Sequence, residues 1–142
     1  MKFSYIKVPL SKRMLAFPEV PSVKRPQIIV KLSYRDKSIK YYALIDSGSD
    51  YCLFPARVGE QLGIEIERGI HEKIRGINGF ANCFFHSVSI DVGGSPLDVK
   101  VGFSKDMDNM SQGILGQLGF FDNFTVTFDF NKSTVELKPS KV

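Results

Sequence analysis

A chain of 142 residues with 43% hydrophobic residues and 12 Phe is long enough to bury one core and needs no second domain. The formal charge is +4 and the pI is near 9.1, yet basic residues cluster only briefly, at Lys12-Arg13 and Lys24-Arg25, so the aromatic-interleaved basic patch of a nucleic-acid binder is missing. Charges and Pro9 interrupt the N-terminal apolar runs well short of a signal-peptide core, and no segment approaches the roughly 20 apolar residues of a membrane span, which makes a soluble, cytoplasmic protein the expectation.

Residues 1–26 carry Pro9, Pro18, Pro21 and Pro26, each of which disfavours helix, so the chain is expected to open with a proline-rich extended arm. Gln27–Tyr34 reads as a strand, Arg35–Ser38 as a polar turn, and Ile39–Ile45 as the returning strand of a hairpin that delivers Asp46 at its end. After Asp46-Ser47-Gly48, Tyr51–Phe54 resumes as a short strand, and Pro55 opens a helical turn or two over Ala56–Leu62, closed by Gly63. Ile64–Arg68 and Gly69–Arg75 look extended.

Gly76-Ile77-Asn78-Gly79 then makes a flexible hairpin tip. The returning arm is placed at Phe84–Val92, Gly93-Gly94 is a second turn, and Ser95–Phe103 a strand. Ser104–Gln112, with Asp106 and Asp108, reads as a solvated polar loop, since the glycine and terminal glutamate of a calcium loop are missing. Gly113–Gly116 is a short apolar strand, Gln117–Phe121 a short helix, and Asn123–Phe130 alternates Phe124, Val126, Phe128 and Phe130 with polar residues, the pattern of a strand with one buried face. Thr134–Leu137 closes the set. Roughly nine short strands with recurring turns and one or two short helices predict an all-β barrel or sandwich at 27–138, followed by a polar tail at 139–142.

Cys52 and Cys83 have no paired spacing, and neither His71 nor His86 stands at a metal-ligand interval. Reduced core thiols follow, with no disulfide framework, metal or cofactor expected.

Ala43-Leu-Ile-Asp46-Ser47-Gly48-Ser49-Asp50 breaks the hydrophobic logic of the chain. A carboxylate directly after a buried strand loses solvation worth on the order of several kcal/mol unless the site uses it. Taken alone, Asp-Ser-Gly is also ordinary turn chemistry. Three stretches together resemble the retropepsin-like aspartic proteases, the single-domain relatives of pepsin. Leu44-Ile45-Asp46-Ser47-Gly48-Ser49 is similar to the family's catalytic loop, Ile74-Arg75-Gly76-Ile77-Asn78-Gly79-Phe80 to its glycine-rich flap, and Ile114-Leu115-Gly116 to its apolar-apolar-Gly segment. The resemblance spans about Gln27 to Leu137.

It implies a retropepsin-like acid protease barrel and an aspartic endopeptidase. Peptide hydrolysis without metal or covalent nucleophile needs one group to take a proton from water and another to give one to the carbonyl oxygen. Two carboxylates about 3 Å apart do both, because they cannot both ionise cheaply and titrate as a unit. Only Asp46 is followed by Ser-Gly or Thr-Gly, so the second carboxylate is expected from a second copy across a two-fold axis, in a homodimer acting on a peptide or protein substrate.

By resemblance, Asp46, Ser47 and Gly48 form the catalytic loop, with Ser47 bonding across the axis and the Gly48 N–H holding the acids coplanar. Ser49 is expected to reach the Asp46 carboxylate, and Asp50 to bind substrate backbone amides, although Gln117 stands where the family has arginine. Gly76, Ile77, Asn78, Gly79 and Phe80 would cover the substrate, with Gly76 and Gly79 as hinges, and Ile77, Phe80, Ile114 and Leu53 would supply apolar pockets. The alternative is a non-catalytic dimerisation or peptide-binding module on the same fold.

Overall fold

The structure is a computed structural model and describes residues 1–77 and 79–140. Strands take 58% of the chain, so pairing between distant segments, not local helix formation, organises it. In order, they are β1 (Lys2–Ser4), β2 (Ile6–Pro9), β3 (Ser22–Arg25), β4 (Gln27–Tyr34), β5 (Lys37–Ile45), β6 (Cys52–Pro55), β7 (Ile70–Gly76), β8 (Gly79–Val92), β9 (Ser95–Ser104), β10 (Gly113–Leu115), β11 (Phe124–Asp129) and β12 (Thr134–Pro139). One helix, α1 (Ala56–Gln61), starts directly after Pro55 and ends where Gly63 takes φ +81°, a conformation glycine adopts without strain.

Six strands close a barrel in the order β4-β5-β10-β6-β9-β8, with β8 pairing back onto β4 through Lys31↔Asp91, Leu32↔Ile90 and Ser33↔Ser89. Two of the pairings are parallel. β10 runs beside β5, so Ile114 faces Leu44 and Leu115 faces Ile45, and β6 runs beside β9. Period-two patterning in β4 points Ile28, Val30 and Leu32 inward, where they meet Phe54, Val101, Phe103, Leu115 and Phe120. Burying each such side chain contributes about 1.5–3 kcal/mol. A second, smaller apolar cluster joins Leu53, Cys83 and Met107 with the half-buried Tyr51, Ile74, Ala81, Phe85, Met110 and Ile114.

Beyond the barrel, β1 lies antiparallel on β12, which pairs with β11, while β2 and β3 form a separate two-stranded ladder. The start of the chain is tied down by backbone bonds: the Met1 amine donates to the Leu137 carbonyl at 2.7 Å, and Tyr5 N–H to Ser133 at 2.7 Å. Lys24 Nζ donates to the Phe130 carbonyl at 2.6 Å and sits 4.1 Å from the centre of the Phe130 ring.

Several expectations need correction. Gln117–Phe121 is not a helix but a run of turns, because Gly119 takes φ +112° and the Phe121 and Asp122 N–H groups reach back five residues, to Gly116 and Gln117. Ile66–Arg68 is a 3₁₀ turn and not extended, closed by Gly69 N–H on the Ile66 carbonyl. The returning arm starts at Gly79, five residues before Phe84, because β7 pairs with it along its whole length. In β11 the alternating face is buried only at its start: Phe124 is buried and Val126 half-buried, but Phe128 and Phe130 are exposed, and Phe130 meets Tyr5 edge-on and Lys24. The loop after β9 is not simply solvated. Met107 is buried, and Asp106 and Asp108 accept bonds from the Asn82 and Arg57 N–H groups at 2.9 and 3.0 Å.

Candidate active site

Asp46 ends β5, half-buried, one residue past the buried Ile45. Its N–H donates to the Leu115 carbonyl at 3.0 Å, extending the β5–β10 ladder by one bond beyond the last paired strand residue. One carboxylate oxygen accepts the Gly48 N–H at 2.9 Å. A Cβ at Gly48 would stand 3.1 Å from that same oxygen, so glycine is what lets the backbone approach the acid. Among the described residues, the Gly48 N–H is the carboxylate's one hydrogen-bond partner.

The loop is then fixed from beneath. Ser49 N–H returns to the Asp46 carbonyl at 3.2 Å, Gln117 N–H donates to Ser49 O at 2.8 Å, and Leu118 N–H to Asp50 O at 2.8 Å. The Gln117 amide Nε2 donates to Ser47 O at 2.9 Å. These bonds bring residues 49–51 almost into contact with Gly116, whose absent Cβ would sit 2.2 Å from the Tyr51 carbonyl oxygen and 2.6 Å from that of Ser49. The Ile-Leu-Gly segment and the Asp-Ser-Gly loop are therefore one packed unit.

Ser47 is exposed, and Ser49 departs from the sequence reading: its hydroxyl donates to the Tyr51 carbonyl at 2.8 Å instead of the Asp46 carboxylate. Asp50 is exposed, and among the described residues its carboxylate has no ion pair. Gln117 serves the loop backbone through its side-chain amide. That role was invisible in the sequence, since it depends on a residue 70 positions away.

β7 and β8 make the hairpin over Ile70–Val92, registered from Ile70↔Phe85 to Gly76↔Gly79. Gly79 takes φ +110°, whereas a Cβ at Gly76 would meet only Gly79 O at 3.8 Å. Ile77 is fully exposed and Phe80 largely so, with Lys73 Nζ 5.4 Å and Arg75 Cζ 5.2 Å from the centre of the Phe80 ring. Asn78 lies outside the described residues. Ile114 and Leu53 belong to the small cluster at the hairpin's root, so these two are brought together while Ile77 and Phe80 stay apart from them. A cavity of about 430 Å³ at that root is lined by Tyr51, Ile70, Phe85 and Leu118 among others, and Asp46 is not part of its wall.

Cys52 and Cys83 are buried free thiols. Burial is the main force on both, pushing the Cys52 pKa up to about 11 and raising that of Cys83.

A sequence model of the aspartyl protease family matches residues 30–117, more than half of the chain. The chain belongs to the aspartyl protease family. The matched span runs from β4 through the Asp46 loop, the hairpin and the Ile-Leu-Gly segment to Gln117. Among solved structures, a retropepsin-like aspartic protease from Rickettsia conorii is similar with a TM-score of 0.56 at 14% identity, over 77% of this chain and 88% of its own. The EIAV protease, solved with the inhibitor HBY-793, is similar at a TM-score of 0.49 and 23% identity, over 66% of this chain and 83% of its own. No curated protein matches. The barrel of this family member is thus of the retropepsin kind, and its family supports a peptidase. No helix among the described residues is long and apolar enough to cross a membrane.

Proposed function

We propose that the protein is an aspartic endopeptidase whose catalytic pair is two Asp46 carboxylates, one from each copy of a homodimer. The observation that carries this is the Asp46 loop: a half-buried carboxylate, held by main-chain bonds on both sides, with only the Gly48 N–H on its oxygens among the described residues. A lone carboxylate cannot be acid and base in the same step, and no other aspartate in the chain precedes Ser-Gly or Thr-Gly. A two-fold axis between two Asp46 loops brings the like charges together, so the pair shares one proton.

One carboxylate then takes a proton from a water held between the pair. That water attacks the peptide carbonyl carbon, the carbonyl oxygen receives the shared proton, and collapse of the tetrahedral intermediate sends a proton to the departing amine. The substrate lies as an extended strand under the Ile74–Phe80 flaps, with Ser49, Asp50, Gly76, Gly79 and Asn78 offering polar or main-chain contacts and Ile77, Phe80 and Ile114 apolar ones. Ser47 supports the loop.

The test is a peptide-library digest from acidic to neutral pH. Cleavage should be slowed by pepstatin-type hydroxyl inhibitors, should be indifferent to chelators, and should vanish in Asp46→Asn while strand content and dimer mass persist. If subunits reassort at random, an equal mixture of wild type and Asp46→Asn has about a quarter of the activity of wild type at the same total concentration, because only doubly wild-type dimers keep the pair. Continued cleavage by the mutant, or cleavage by a strict monomer, overturns the proposal.

A further inference from the structure

We infer that Asp106 is a positioning residue for the flap, setting the point beyond which the hairpin is free to move; this rests on the reading of Ile74–Phe80 as a substrate cover. The β8–β9 ladder runs from Val92↔Ser95 to Phe84↔Phe103 and stops there, because after Ser104 the chain turns away into the 3₁₀ turn Lys105–Met107. The edge of β8 is left open just where the hairpin rises from the body. At that place the Asp106 carboxylate substitutes for a strand: its Oδ2 accepts the Asn82 N–H at 2.9 Å, two residues past the last ladder pair.

The acceptor is itself held. Asp106 N–H donates to Ser104 Oγ at 3.2 Å, and Met107 is buried beside Leu53 and Cys83. The following residues are clamped by Arg57 of α1, whose N–H donates to Asp108 Oδ1 at 3.0 Å, whose Nε donates to Asp108 O at 2.9 Å, and whose Nη2 donates to Met110 O and, at 2.7 Å, to Tyr41 Oη. Tyr41 is on β5, the strand that ends at Asp46. The opposite strand of the hairpin is linked to the same residue, since His71 Nε2 and Asn82 Oδ1 are 2.9 Å apart.

Past this latch the hairpin has little to hold it. Ile74 and Ala81 are half-buried on the small cluster, while Arg75, Gly76, Ile77, Gly79 and Phe80 are exposed. Asp106 therefore marks where the hairpin's fixed root ends, and it ties the root's height to the strand that leads into the catalytic acid. Without it the lever lengthens by at least the Lys73↔Asn82 pair, and closing the flap over a peptide has to order more chain.

The experiment compares Asp106→Ala, which removes the acceptor, with Asp106→Asn, which keeps an acceptor oxygen. In the alanine variant, hydrogen exchange of the Asn82 amide and of residues 74–81 should quicken, and KM should rise by about three- to tenfold, the range expected for one lost hydrogen bond, with kcat within about twofold. Asp106→Asn should restore most of both. Unchanged exchange in Asp106→Ala overturns the latch. Faster exchange with unchanged KM overturns the positioning role and leaves an ordinary surface bond. Exchange is read without turnover, so a chain that cleaves nothing would sink the peptidase reading while the latch is still judged.

Discussion

Gly116→Ala tests whether the Asp46 loop and the Ile-Leu-Gly strand are one packed unit. The new Cβ would lie 2.2 Å from Tyr51 O, 2.6 Å from Ser49 O and 2.8 Å from the Tyr51 carbonyl carbon. All three are backbone atoms, so no side chain can rotate to make room. Reaching ordinary contact demands a retreat of about 1 Å by residues 49–51. The bonds from Gln117 N–H to Ser49 O and from Leu118 N–H to Asp50 O, both 2.8 Å, would stretch beyond hydrogen-bonding range. Two lost backbone bonds at about 1 kcal/mol each, plus about 1–3 kcal/mol of overpacking, lower stability by roughly 3–5 kcal/mol. Urea unfolding with an unchanged m-value reads this directly. Gly76→Ala is the control: its Cβ meets only Gly79 O at 3.8 Å, so it should stay within about 0.5 kcal/mol of wild type. Residual folded Gly116→Ala should also lose about a hundredfold in kcat/KM, the cost of a ~1 Å displacement at the reacting groups. A stability loss below about 1 kcal/mol would refute the packing argument.

Two further outcomes follow from Arg57 and Cys52. Arg57→Met keeps an unbranched side chain over Tyr41 but removes the donors to Asp108 O, Met110 O and Tyr41 Oη, and should cost about 2–3 kcal/mol in urea unfolding; a loss under about 0.5 kcal/mol would mean the clamp is idle. Burial raises the Cys52 thiol from 9.0 to about 11, so the folded state favours the neutral form. Its contribution is complete below about pH 9 and is lost as pH rises towards 11, on the order of 2 kcal/mol. For the same reason iodoacetamide at pH 8 should modify native Cys52 at least roughly a hundredfold more slowly than in urea, and equal rates would contradict the burial.

Where a segment's own pattern decides its structure, sequence and fold agree. Gln27–Tyr34 is a strand with the expected ends because alternation in its own side chains fits one wall of the barrel. The glycine at 63 closes α1 for a local reason, its positive φ. Disagreement begins where a distant segment decides. Gln117-Leu-Gly-Phe-Phe has apolar spacing that suits a short helix, but Gly119 takes a positive φ and the Phe121 and Asp122 N–H groups reach back five residues, while Ser49 and Asp50 dock the segment on the loop. Phe128 and Phe130 alternate as a buried face should, yet both are exposed, because the core covers this face only as far as Val126. Asp106 and Asp108 look solvated until β8 and α1 are folded beside them. In the candidate site, the approach of the Gly48 N–H to the Asp46 carboxylate was legible because it is local to a motif. Gln117's amide and the Ser49 hydroxyl were not, since the acceptors they find depend on how the loop is folded.

The Asp46 loop is held by main-chain links from Asp46 to Leu115, Ser49 to Asp46, Gln117 to Ser49 and Leu118 to Asp50. Side chains add the Gly48 bond to the acid, the Gln117 amide on Ser47 and the Ser49 hydroxyl on the Tyr51 backbone. The barrel that supplies these strands closes within one chain, through β8 on β4, and among the described residues no buried side-chain nitrogen or oxygen lacks a partner. Each of the bonds that hold the loop lies within one chain. Under the proposed mechanism, dimerisation adds a carboxylate to a loop already formed, and two-fold symmetry guarantees that the added acid is held by the same bonds. Dipoles fixed before the reaction need no reorganisation during it, which is the condition under which a pair of acids stabilises a transition state most.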